Sequence, residues 1–186
     1  MTIRVLGLGN VLMSDDGFGP YAARVMDAFY DLPQNVQVID LGTPGLDLTP
    51  YLLDADAVIF LDTVSSAGKP GEIRTYDGED ILRHPPGPRL GPHDPGLKEA
   101  LLTVATAGAG PAYVKLVGVI PEWVATGTAL SASVRGAVAP AIGIVLDELD
   151  LLGSRPRLRE EPERPETWWE RGDVPPEIRQ RLLMTA

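Results

Sequence analysis

Residues 57–62 read Ala-Val-Ile-Phe-Leu-Asp, five apolar side chains in a row and then a carboxylate. A short run with no polar face predicts a strand buried on both sides, at the centre of a mostly parallel sheet. Parallel neighbours need helical crossovers between them, and the flanking sequence supplies them. Residues 3–8 (IRVLGL) form a second buried strand that breaks at Gly9-Asn10. From Pro20 the spacing of Ala22, Val25, Met26 and Phe29 is helical, with Pro20 in the first turn and Pro33 as the stop. Residues 36–40 (VQVID) alternate as a strand, Gly42-Thr43-Pro44-Gly45 turns the chain, and Leu48, Leu52 and Leu53 mark a short helix.

A fourth strand is expected at 72–76 (EIRTY). Only nine residues, 63–71, separate it from the third, too few for a parallel crossover, so it should run antiparallel. A Pro- and Gly-rich loop spans 84–96, followed by a helix near 96–107 and a fifth strand at 113–120. Ser131 or Ser133 can cap a last helix whose Val134, Val138, Ile142, Val145 and Leu149 lie on or near one face, with a kink expected at Pro140. The alternation gives an α/β fold, a three-layer α/β/α sandwich around a five-stranded, mostly parallel sheet with one antiparallel strand.

Length favours one domain, here residues 1–153. Residues 154–186 carry seven cations, seven anions and five prolines. They read as a charged, Pro-rich C-terminal tail, partly disordered or docking, with too little apolar content for the main core and a possible short docking helix at Ile178 and Leu182. The net charge of −10 lies in residues 1–153, which argues against nucleic acid. Without cysteine there is no disulfide framework, thiolate nucleophile or Cys-based zinc site. No apolar run nears the roughly 20 residues of a membrane helix, and residues 3–13 do not read as a secretory signal. The expectation is a cytoplasmic protein that does not engage a membrane.

Chemistry in such folds gathers at the carboxyl ends of the strands. Asp15 and Asp16 lie between glycines after the first strand, Asp62 ends the third, and His93 lies in the Pro-rich loop. Each has an ordinary reading: a carboxylate favoured by a helix N-terminus, a turn or capping residue, a surface histidine like His84. Together, one imidazole and two carboxylates can form an incomplete coordination sphere for a borderline divalent metal. No G-x-S-x-G elbow, H-E-x-x-H helix or P-loop is present. Dinucleotide binding is the rival, because Gly7-x-Gly9 follows a strand and Asp40 ends the second strand like a ribose-binding acid. Against it, Leu12 replaces the third glycine, and Asp15 and Asp16 would repel a pyrophosphate.

Gly7-Leu8-Gly9-Asn10-Val11-Leu12, Asp15-Asp16-Gly17-x-Gly19-Pro20, Gly42-Thr43, Asp62, His93 and Val117-Gly118-Val119-Ile120-Pro121-Glu122 resemble the hydrogenase maturation endopeptidases in order over roughly residues 1–150. The resemblance implies a mixed five-stranded sheet with its antiparallel strand near an edge. It also implies a metal-binding and catalytic set of Asp16, Asp62 and His93, and one cut near the C-terminus of the large-subunit precursor of a nickel-iron hydrogenase. Nickel would arrive with the precursor, and no organic cofactor is implied. Some members carry Glu in place of Asp16, which keeps the charge on a longer arm. The metal could serve as a recognition tag, with Asp16 as general base, or polarise the peptide carbonyl itself. The alternatives are a nucleotide-binding oxidoreductase and a non-catalytic nickel-binding chaperone.

Overall fold

The computed structural model describes residues 1–44, 48–83, 94–170 and 176–184. Five strands, β1 (Ile3–Leu8), β3 (Val36–Gly42), β4 (Ala57–Thr63), β5 (Ile73–Asp77) and β6 (Tyr113–Val119), form one sheet in the order β3-β1-β4-β6-β5. β1 pairs in parallel with β3 and β4, and β4 with β6. β5 runs antiparallel to β6 at the edge, as the short 63–71 connection requires. β4 is central and buried at every residue, which is why its sequence shows no polar face.

The pleat sends alternate residues of β4 to opposite layers. Ala57, Ile59 and Leu61 pack with the core of α1 (Phe18–Phe29) and α5 (Ala132–Leu151). Val58 and Phe60 pack with residues of α2 (Thr49–Leu53), α3 (Gly78–Arg83) and α4 (Asp94–Thr106). The result is the α/β/α sandwich. α3 is an element that the hydrophobic spacing does not mark. α1 ends at Phe29, before Pro33, because Tyr30-Asp31 leave the helix as a two-residue strand, β2, paired antiparallel with β7 (Arg157–Leu158).

Ser131 caps α5 by accepting from the Val134 N–H at 3.2 Å. α5 runs through Pro140 as one helix. A proline cannot donate to the carbonyl four residues earlier, here that of Gly136. That carbonyl instead accepts from Arg181 at 3.0 Å, a residue of α6 (Pro176–Met184).

The C-terminal segment thus differs from its composition. Trp169, Ile178 and Leu182 are buried and belong to the main core between α1 and α5. Backbone bonds from Arg159 to Phe29 (2.9 Å) and from Glu163 to Ala28 (3.0 Å) strap the segment along the end of α1. The expectation that it holds too few apolar residues to join the core fails, because a few large side chains at the right places suffice even when their neighbours are charged. The docking helix allowed by Ile178 and Leu182 is α6.

Candidate active site

Glycines bring α1 unusually close to the sheet. A Cβ on Gly19 would lie 2.2 Å from the carbonyl oxygens of both Leu8 and Leu61, and one on Gly7 would lie 2.4 Å from the Gly19 oxygen. Gly9 has φ +138°, and a Cβ there would lie 1.8 Å from the backbone carbonyl oxygen of Asp16. Only residues without a side chain fit this seam. Its effect is to bring the 3-10 turn Ser14–Gly17 against the carboxyl ends of β1 and β4, where Asp16 reaches Asn10 and Thr63.

Asp15 and Asp16, adjacent in sequence, then have different tasks. Asp15 is fully buried and accepts three backbone N–H bonds from across the chain: Ser131 (2.6 Å) on Oδ1, and Glu122 (2.8 Å) and Trp123 (3.1 Å) on Oδ2. It ties the 121–131 loop to the 3-10 turn. Asp16 has other partners. Its Oδ2 accepts from the Asn10 N–H at 2.9 Å, and its Oδ1 from the Thr63 hydroxyl at 3.3 Å. Asp62 lies one residue before the end of β4, and its Oδ1 accepts from the Thr63 N–H at 2.7 Å. Asp16 and Asp62 are each 3% exposed.

Thr63 therefore joins the two carboxylates, through its hydroxyl to Asp16 and its amide to Asp62. The sequence reading missed it, since a buried threonine in a strand reads as a β-branched strand residue. His93 and His84 lie outside the described residues. α4 begins at Asp94, one residue after His93 in sequence. Among the described residues, no group of three His, Cys, Asp or Glu is placed to hold a metal. Asp16 and Asp62 supply two carboxylates, a hard-donor pair that a third ligand would complete.

The 121–131 loop is braced on its far side as well. Glu170 pairs with Arg135 and accepts from the Leu130 N–H at 3.5 Å. The Arg135 guanidinium lies 5.4 Å from the centre of the Tyr21 ring. Burial pushes the Tyr21 phenol up to about 12, against the opposing pull of Arg135 and with a further push from Glu170. Asp40, the candidate ribose acid, is engaged by Arg24 at 3.1 Å and by the Gly42 N–H at 3.2 Å.

A doubly flanked mixed sheet, with two linked carboxylates at the carboxyl ends of its central strands, defines an α/β protein with a candidate acid–base or metal-directed site. Comparison with known proteins gives the family. The family model for hydrogenase maturation protease matches residues 20–148. The chain is 32% identical over 151 residues to the hydrogenase expression/formation protein HupD of Bradyrhizobium diazoefficiens, covering 79% of this chain and 77% of HupD. It is 32% identical over 150 residues to the hydrogenase 2 maturation protease of Escherichia coli, covering 80% and 91%. The solved hydrogenase maturating endopeptidase HybD of E. coli superposes with a TM-score of 0.78 at 31% identity, covering 86% of this chain and 98% of that one. The chain belongs to the hydrogenase maturation protease family. It is a peptidase, and the nucleotide-binding reading is set aside.

Proposed function

We propose that this peptidase removes the C-terminal extension from the large-subunit precursor of a nickel-iron hydrogenase, once nickel is in place, and that it does so in the cytoplasm. Among the described residues no helix is long and apolar enough to cross a membrane. The observation that carries the site reading is the Thr63 link, which holds Asp16 and Asp62 together at the carboxyl ends of the strands. Asp16, Asp62 and His93 approach the nickel carried by the precursor, so that the metal marks the correct substrate and fixes where the scissile peptide lies. Fixing a reactant in this way supplies a large share of a rate enhancement. Asp16 takes a proton from a water that attacks the scissile carbonyl carbon, and the proton passes to the departing amine as the C–N bond breaks.

The test is intact-mass spectrometry of a large-subunit precursor before and after incubation with the protein. Loss of one C-terminal peptide from the nickel-loaded precursor, and not from the nickel-free form, is expected. Equal cleavage of both forms contradicts the tag role. Cleavage of neither contradicts the proposal and favours a chaperone.

A further inference from the structure

Three large apolar side chains stand out at the site end of the sheet: Leu12 (49% exposed), Trp123 (49%) and Val124 (43%). Single exposed apolar residues are ordinary, but these occupy two loops tied to each other. The Gly127 N–H donates to the Leu12 carbonyl (2.9 Å), the Ser14 N–H to the Gly127 carbonyl (2.8 Å), and the Ser14 hydroxyl to the Ala125 carbonyl (3.0 Å). Asp15 accepts from the N–H groups of Glu122 and Trp123. The loops are thus held by backbone bonds, while their apolar side chains face solvent.

We propose that Leu12, Trp123 and Val124 form a docking shelf for the precursor polypeptide beside its scissile bond, and that the segment presents bulky apolar side chains there. This rests on the reading of Asp16 and Asp62 as the cleavage site. The loops that carry the shelf are tied beside that site. Asp15, which anchors the shelf, is the sequence neighbour of Asp16. The 121–131 loop also leaves β6 just beyond Gly118 and Val119, the register partners of Asp62 and Thr63. A chain that reaches Asp16 and Asp62 therefore has the shelf beside it. The recognition chemistry is apolar because the shelf offers an indole, an isobutyl and an isopropyl group. A tryptophan on a pre-ordered loop is a favoured anchor, since little freedom is lost when it is covered. An apolar grip also works independently of the acidic charge of the body.

The experiment is steady-state cleavage and equilibrium binding of the nickel-loaded large-subunit precursor by the full chain. The variants are Trp123→Ser, Leu12→Ser, Asp16→Asn and, as a distant exposed control, Leu151→Ser. Thermal melts confirm folding, and the oligomeric state is measured in parallel. The shelf predicts that Trp123→Ser and Leu12→Ser each raise KM about tenfold or more while kcat falls by less than about threefold, the pattern of lost uniform binding. Leu151→Ser leaves both constants unchanged. Asp16→Asn does not cut the precursor, although its shelf is unaltered. Wild-type KM in both shelf variants overturns the shelf while leaving the cleavage site intact. Normal cutting by Asp16→Asn overturns the site, whatever the KM values. A change confined to self-association assigns the surface to a second copy of this chain and also overturns the proposal.

Discussion

Replacing Asp15 and Asp16 one at a time by asparagine separates two carboxylates that the sequence places side by side. In Asp15→Asn one carboxylate oxygen becomes an NH2 group. All three partners of Asp15 are backbone donors, so the NH2 must face at least one of them. The gentlest orientation turns it to Ser131, leaving one buried N–H without an acceptor at about 1–3 kcal/mol. The two remaining bonds lose their charge assistance, about 1 kcal/mol each. The sum is about 3–5 kcal/mol, which in a chain of this size lowers Tm by roughly 6–20 °C. Asp16→Asn is different. Its amide oxygen can keep the Asn10 N–H, and its NH2 can donate to the Thr63 hydroxyl, which rotates and accepts as readily as it donates. A loss within about 1 kcal/mol is expected. The assay is a thermal melt by circular dichroism alongside cleavage of the precursor. Asp15→Asn should melt early, and Asp16→Asn should melt normally and fail to process. An Asp15→Asn protein melting within about 2 °C of wild type refutes the anchoring role derived from its three bonds.

Leu182→Ala should cost about 2–5 kcal/mol, the usual range for a fully buried leucine, and truncation after Gly153 should cost more because Trp169 and Ile178 leave the core as well; wild-type melting of the truncated chain would show that the segment does not pack there. Burial raises both the Tyr21 and the Tyr113 phenols to about 12, helped at Tyr113 by its hydrogen bond to Glu148. A raised folded-state pKa contributes stability that is complete below the ordinary value near 10 and is lost as pH rises from there toward 12, so alkaline unfolding should begin in that window. Ultraviolet titration should find two phenols that ionise late in the native protein and normally in denaturant. The isolated protein should retain little nickel or zinc after dialysis, because two carboxylates and one imidazole leave an open sphere; stoichiometric metal surviving a chelator would favour a resident catalytic ion.

The strands were legible wherever burial on both faces removes the polar alternation, as at 57–62 and 3–8. The antiparallel β5 followed from a loop length alone. α3 was not legible, since in six residues only Ile81 is buried and a period cannot show. The C-terminal segment was misjudged because composition averages over a segment, whereas packing depends on single side chains such as Leu182 and on acceptors such as the Gly136 carbonyl freed by Pro140. At the site, strand ends pointed to Asp62, and resemblance chose Asp16 over Asp15. The structure gives the two carboxylates different partners, backbone amides of the 121–131 loop for Asp15 and Asn10 and Thr63 for Asp16. No local pattern announces these partners, and none marks the role of Thr63.

The most direct test of the account is precursor processing by a folded His93→Ala protein, with His84→Ala as its control. Asp16 and Asp62 supply only carboxylates, and His93 is the one imidazole assigned to the site. Intact-mass spectrometry of the nickel-loaded precursor should show uncut large subunit with His93→Ala and complete cutting with His84→Ala, both proteins melting within about 1–2 kcal/mol of wild type. Normal processing by His93→Ala would contradict the three-residue site and the mechanism built on it.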